Sequence, residues 1–397
     1  MNMEPVTVRQ RRQFGDFVGR SQKGPIGEWF WEIDRVLLLL VTILISIGLI
    51  AIAAAAPAAA ERYSGAGFQY AELYYFYRQL MWLGVAIPTM LVISTMPKEL
   101  AKRFALGGAV CFLVLLIFVP FIGNEVNGAQ RWLGYGLATF QPSEFLKPFF
   151  IVACAWLLSL RITQDPGLPV VAATGILTGI IGLLLMRQPD FGQTVIFGAV
   201  WFVLLMLSGV SGKLLGALFG GGIGGFVAAY LFYPVATTRI NAFIYGEGDT
   251  FQTDNAMGTL TNGGFFGTGP GDGVMKYNLP EPHTDYIFSV IGEEFGLIAC
   301  LAVALLFAAI VVRVFVKLLN EENVFYLLAS AGLATQFAMQ ASINMAVNLG
   351  MAPSKGMTLP FISYGGSSLI ALSIGFGLLL AFTRRNPHMN ARDRRIG

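Results

Sequence analysis

A chain of 397 residues that is 55% hydrophobic and only 12% charged, with a mean hydropathy of +0.65, cannot keep its apolar surface dry in a water-soluble fold, where about a quarter of residues are charged. The formal net charge of +3 is too small to suggest a nucleic-acid-binding surface. Lipid is the solvent for most of this chain.

A helix needs roughly 20 mainly apolar residues to cross the hydrocarbon. Ten runs approach that demand, near 36–56, 80–96, 104–122, 144–160, 168–186, 192–208, 214–233, 292–316, 324–347 and 366–383. The expected fold class is an all-α integral membrane protein of about ten transmembrane helices. A basic segment (1–35) precedes the membrane domain (36–384) and a basic tail (385–397) follows it. The polar start of the chain and the lack of a convincing small-residue cleavage site argue against a cleavable signal. The alanine run from Ala51 to Ala60 reads as the end of the first span, broken by Pro57.

Orientation follows from the basic residues. Eight of the 26 Lys and Arg (Arg62, Arg78, Arg131, Lys147, Arg187, Arg239, Lys276 and Lys355) fall in one set of alternate loops or at its helix ends. The other 18 fall in the opposite set or the terminal segments, which places both termini in the cytoplasm. An even number of spans agrees. Cys111, Cys154 and Cys300 all sit in apolar runs and read as buried packing residues rather than a disulfide framework. The sequence carries no zinc site, P-loop or dinucleotide fingerprint. GTGPGDG at 267–273 lacks a strand–helix context and reads as a flexible loop. No cofactor is evident, and a divalent cation, Mg or Mn, is left open.

Length distinguishes the two faces. The inner loops are short basic hairpins, whereas the outer loop between the seventh and eighth spans covers about 234–291. Loops of that length are usually functional or disordered. Phe243, Tyr245, Phe251, Phe265, Phe266, Tyr277 and Tyr286 argue for an ordered loop that folds back on the bundle.

Three polar constellations lie on the outer side. Arg131 and Trp132 precede Glu144 and Lys147, which share a helix face three residues apart. Charges in a span face a polar cavity or each other, so a site and a self-neutralising pair are equally compatible with the spacing. At Arg187-Gln188-Pro189-Asp190 the better reading is a turn with Asp190 capping the next helix. In LPEPHTDYIFSVIGEEFG (279–296), Glu281, His283 and Asp285 stand where the chain re-enters the membrane. Thr284 or Asp285 could cap that helix, but a cap needs only one such residue. A carboxylate at a low-dielectric wall can also rise toward a general base's working range.

Four blocks, NGAQRWLGYGLATFQPSEFLKP, RQPDFGQTVIF, LPEPHTDYIFSVIGEEFG and APSKGMTLPFISYGGSSL, resemble in order and register the signatures of the SEDS family (shape, elongation, division and sporulation). The resemblance covers about 36–384 and leans toward the division member over the elongation member. The long basic N-terminal extension, DTFQTDNAMGTLTNGGFFGTGPG and KGMTLPFISYGGSS carry that distinction. It implies a peptidoglycan glycosyltransferase polymerising lipid II on the outer face of the cytoplasmic membrane, activated by a single-pass class B penicillin-binding transpeptidase. The family's essential aspartate falls on Asp285, its outer-loop tryptophan on Trp132, its Glu-Lys pair on Glu144 and Lys147, and its last-loop lysine on Lys355. Some relatives carry a glutamate eight residues before the aspartate, where this chain has Tyr277, so that residue's role is not carried over.

The chemistry agrees with the residues. A lipid-linked diphosphate is already a good leaving group, so one carboxylate that deprotonates and aligns a sugar hydroxyl suffices. Glycoside hydrolysis, by contrast, uses two carboxylates. Asp285 is the candidate base. Arg131, Lys147 and Lys355 are candidates for offsetting diphosphate charge, and Trp132, Glu144, Glu281 and His283 for lining the substrate site. A lipid II flippase would also be all-helical, but would carry cations through the depth of its cavity rather than at its outer end. A non-catalytic scaffold leaves the long loop unexplained.

Overall fold

The computed structural model describes residues 25–384 apart from 66, 127–128, 137–138, 247–250 and 355. Thirteen α-helices carry the fold among them: α1 (Pro25–Glu32), α2 (Arg35–Tyr63), α3 (Tyr74–Thr95), α4 (Lys98–Ile122), α5 (Pro142–Thr163), α6 (Val170–Arg187), α7 (Phe191–Leu207), α8 (Gly212–Phe232), α9 (Pro234–Tyr245), α10 (Phe251–Asn262), α11 (Ile287–Leu318), α12 (Val324–Asn348) and α13 (Gly366–Phe382). Eight are long and apolar enough to cross a membrane, while α7 and α13 are apolar but shorter. Helix is the form these runs must take, because lipid offers the backbone no hydrogen-bond partners. A short antiparallel hairpin, β1 (Asn124–Val126) and β2 (Ala129–Trp132), follows α4.

Side-chain bonds sort the helix ends into two rims. At one rim Asp34 caps α2 by accepting from the Leu37 amide and pairs with Arg313 (2.9 Å) and Lys317 (3.2 Å) at the far end of α11. There Lys317 also donates to the Thr383 carbonyl after α13, and Tyr326 of α12 donates to Glu99 of α4. At the opposite rim the end of α2 meets the segment before α11, where Tyr63 donates to Glu281 at 2.6 Å. The candidate residues that the structure describes lie at this second rim, while Lys355 falls outside the described residues. At its centre, α5 and α12 bury most of their surface in the bundle, whereas α8 is almost wholly exposed.

Three expectations need correction. First, α2 does not end in its alanine run but continues through Pro57 to Tyr63. Proline removes a helical donor, and membrane helices tolerate it where another group serves the freed backbone. Here Ala55, Ala56 and Ala59 beside the proline are wholly buried, and the Lys276 ammonium donates to the Ala54 carbonyl at 3.0 Å, one residue after the Ala53 carbonyl that loses its helical donor. Second, 267–273 is a tightly bonded loop. α11 begins five residues earlier than its apolar run and breaks at Gly296, whose φ of 80° and ψ of 179° are not helical. The loop plugs that break: Thr268 and Gly269 amides donate to the carbonyls of Glu293 and Glu294, and Leu297 and Ile298 amides donate to Gly264 and Phe265. A side chain at Gly296 would lie 2.4 Å from the Gly267 nitrogen, so only glycine fits. Third, Cys154 and Cys300 are buried as expected, but Cys111 is exposed. It lies on α4, which turns most of its surface out of the bundle, so an apolar position there faces outward.

The long loop between α8 and α11 folds back on the bundle as expected, through α9, α10 and a 3₁₀ turn at Met275–Asn278. Beneath it Glu293, Glu294 and Lys276 are all but inaccessible. Glu293 accepts from Asn262 (2.9 Å) and the Met275 and Lys276 amides (2.7 and 2.9 Å). Glu294 accepts from the Gly271 amide and pairs with Lys276. Every charge in this cluster is met, the condition under which buried ions are tolerated.

Candidate active site

The segment PEPHTDY folds as a tight turn ahead of α11. Its Glu281 carbonyl accepts from the Thr284 and Tyr286 amides, and its Glu281 carboxylate accepts from Tyr63 and Thr284. Glu281 is thereby committed to shaping the turn. His283 is buried, with its ring 4.2 Å from that of Tyr75 and 5.1 Å from that of Tyr364. Burial pushes its pKa down to about 3, so it is neutral at physiological pH. It packs in an aromatic cluster rather than beside the carboxylate.

Asp285 is half-buried, and α11 has no side-chain cap. No described side chain donates to its carboxylate. Burial raises its pKa to about 7, reinforced by the Glu281 charge, while Arg239 and Arg131 draw it down. Its backbone is held instead: the carbonyl accepts from Asn344 (2.9 Å) and Asn348 (3.0 Å) of α12. Gly356 closes one side, where a Cβ would lie 3.1 Å from the Asp285 Oδ2. Lys355 lies outside the described residues.

Arg131, on β2, spans to the α6–α7 turn, where its Nε donates to the Gln188 carbonyl at 2.9 Å and a second nitrogen to the Pro189 carbonyl. Trp132 follows it on the hairpin, partly exposed. Asp190 caps α7 by accepting from the Gln193 amide, as the sequence suggested, and accepts from Gln141 at 3.1 Å. Burial raises the Asp190 acid and Arg131 lowers it.

Glu144 and Lys147 form a 2.8 Å ion pair that is buried rather than surface-like, with side-chain exposures of 8% and 2%. Gln193 of α7 donates to Glu144 at 2.5 Å, and Lys147 donates to Gln340 of α12 at 3.2 Å. Gln340 in turn donates to the Thr358 carbonyl at 3.1 Å. The pair therefore braces α5 against α7, α12 and the loop after Gly356.

Two groups escaped the sequence reading. Arg239, on α9, is partly buried without a hydrogen-bond or ion-pair partner among the described residues, and its guanidinium feels Arg131, Asp190 and Tyr286. Its place in the long loop gave no periodic signal. The second group, Gln336, Gln340, Asn344 and Asn348, was legible: four amides at four-residue steps put a polar stripe on one face of an apolar span. Among the described residues no three His, Cys, Asp or Glu come together as a metal site.

With its carboxylate poised near neutrality and two arginines within electrostatic range, the site can take a proton and balance anionic charge. Known proteins agree with that chemistry. The chain is 36% identical over 373 residues to the probable peptidoglycan glycosyltransferase FtsW of Caulobacter vibrioides, covering 93% of each chain. It is 35% identical over 336 residues to that of Taylorella equigenitalis, covering 82% of this chain and 92% of the relative. A chain from a peptidoglycan synthase complex that coordinates polymerization and crosslinking superposes with a TM-score of 0.72 at 27% identity, covering 88% of this chain and 97% of that one. The rod shape determining protein RodA of Thermus thermophilus superposes at 0.64 with 27% identity, over 88% and 96%. The FtsW/RodA/SpoVE model, described as cell cycle protein, matches residues 34–388, and the chain belongs to that family.

Proposed function

We propose that this protein is a peptidoglycan glycosyltransferase that polymerises lipid II into glycan strands at the outer face of the cytoplasmic membrane, for septal wall synthesis. The observation that carries the reading is Asp285: a half-buried carboxylate that caps no helix, with a pKa near 7 and within electrostatic range of Arg131 and Arg239. Asp285 takes the proton of the acceptor sugar hydroxyl, whose oxygen attacks the anomeric carbon of the donor. The bond to the lipid diphosphate breaks, and the electron pair leaves on the diphosphate. A general base contributes about 10²–10⁴-fold, and cationic groups at the leaving oxygens add electrostatic stabilisation.

Among the described residues Arg239 is a cation at the site without a hydrogen-bond or ion-pair partner, and we assign it to the diphosphate. Arg131 is anchored to two carbonyls and Lys147 is enclosed by Glu144 and Gln340, so both act by holding the walls. Trp132, partly exposed on the hairpin, offers a ring for a sugar face or lipid stem. The relatives' names support the division role over elongation, and the matched synthase complex supports a penicillin-binding partner, which we take to be a single-pass class B transpeptidase. Ten spans with both termini in the cytoplasm complete the reading. The test is purified protein with lipid II, alone and with such a partner, resolved for glycan chains. Polymer that Asp285→Asn abolishes supports it. Lipid II translocation without polymer overturns it in favour of a flippase.

A further inference from the structure

The amide stripe of α12 grips both walls of the site. Asn344 and Asn348, 2% and 0% exposed, both donate to the Asp285 carbonyl. Asn344 also donates to the Met357 carbonyl at 2.6 Å, next to the Gly356 that abuts the Asp285 carboxylate. The Asn348 oxygen accepts from the Ser289 amide (3.1 Å) and hydroxyl (2.8 Å), fixing the first turn of α11. One turn away Gln340 holds the next carbonyl of the same loop, at Thr358. Each of these three amides thus donates to backbone that flanks the reacting carboxylate, while that carboxylate accepts from no described group.

We propose that Asn344 and Asn348 are positioning residues for Asp285: a paired amide clamp on one face of α12 that sets the aspartate turn against the loop 356–358. This rests on the reading of Asp285 as the base. Two carbonyls from separate segments meet on one Asn344 side chain, so losing it removes the tie nearest the carboxylate and leaves the turn held to the later loop through Ser363 and Tyr364. Misplacing a reacting group by about 1 Å costs roughly 10²-fold. The turn would also open to water, with Glu281, Arg239 and Arg131 as the charged groups still facing the carboxylate.

The variants are Asn344→Leu, close in volume without the amide, and Asn348→Ser, a milder cut on the second donor. Gln336→Leu is the structural control, since it sits on the same stripe but reaches only Gln340. Purified proteins are compared for detergent melting, for kcat and KM toward lipid II, and for the acid limb of kcat/KM against pH. Expected for either clamp variant is a folded protein with kcat down on the order of 10–100-fold, KM within about two-fold, and an acid limb displaced toward the ordinary carboxylate range near about 4. Gln336→Leu should keep the parent limb whatever its melting point. The proposal is overturned if both clamp variants fail to fold, if KM alone rises, or if kcat falls while the acid limb stays with that of the control. Activity surviving in Asp285→Asn would instead sink the base assignment itself, a separate result.

Discussion

The Lys276 ammonium donates to the carbonyl of Ala54, three residues before Pro57, while pairing with Glu294 beside the break in α11. One buried cation therefore ties the proline-bearing end of α2 to the discontinuity that precedes the main length of α11. Removing one member of a buried pair leaves an uncompensated charge at roughly 3–5 kcal/mol. Lys276→Met should lower the detergent melting midpoint accordingly, and Lys276→Met with Glu294→Leu should recover part of the loss. Full recovery is not expected, because Glu294 also serves the Gly271 amide. A single variant that melts with the parent would show the cluster to be dispensable.

The Glu144–Lys147 pair makes a different prediction from the one its spacing suggested. A surface pair would be worth about 0–1 kcal/mol, but this pair is buried and bonded on both sides. Lys147→Met should destabilise the protein by roughly 3–5 kcal/mol and leave KM for lipid II within two-fold of the parent, to a first approximation. Exchanging the two charges forces Gln340 to turn its amide toward the new carboxylate and release Thr358. The swapped protein should insert, melt lower and polymerise poorly. A ten-fold rise in KM with an unchanged melting point would return Lys147 to direct substrate contact.

The assignment of faces is open to thiol labelling in spheroplasts of a cysteine-free background. Gly269 is a poor reporter, because its φ of 113° does not suit a side chain. Val274, exposed on the same loop, is the better position, with Asn320 between α11 and α12 as the opposite reporter. Val274→Cys should react with an impermeant reagent and Asn320→Cys should not. The reverse pattern would move the Asp285 rim to the cytoplasm.

The class of fold and the gathering of Asp285, Arg131, Glu144 and Lys147 at one rim were legible because membrane spans announce themselves by length and apolarity. The continuation of α2 past Pro57 was not, since the side chain that ties this turn down, Lys276 on the Ala54 carbonyl, comes from more than two hundred residues on. The plug at Gly296 was hidden similarly: GTGPGDG reads as a flexible loop until the Thr268 and Gly269 amides find the open carbonyls of Glu293 and Glu294. The polar stripe from Gln336 to Asn348 was present in the sequence at helical spacing. It drew no notice because it lay inside a span sorted by mean hydropathy, where four amides among apolar neighbours average away.

Asp285 carries the most direct test. Asparagine keeps the size of aspartate and cannot accept a proton at neutral pH, so Asp285→Asn should bind lipid II and make no detectable glycan, a loss of about 10²–10⁴-fold or more. In the parent, kcat/KM should fall as pH drops below about 7, because protonation removes the base. Stability gives an independent sign. The folded-state acid lies above the ordinary carboxylate value of about 3.9, so the fold holds that proton more tightly than the unfolded chain. This contribution favours folding at low pH and is lost as pH rises through about 7. Asparagine carries no such penalty. The melting midpoint of Asp285→Asn relative to the parent should therefore be higher at pH 8 than at pH 5. An inactive variant with the same relative midpoint at both values would mean the carboxylate is not perturbed. Glycan synthesis within a few-fold of the parent would remove Asp285 as the base and turn attention to Glu281 and Glu144.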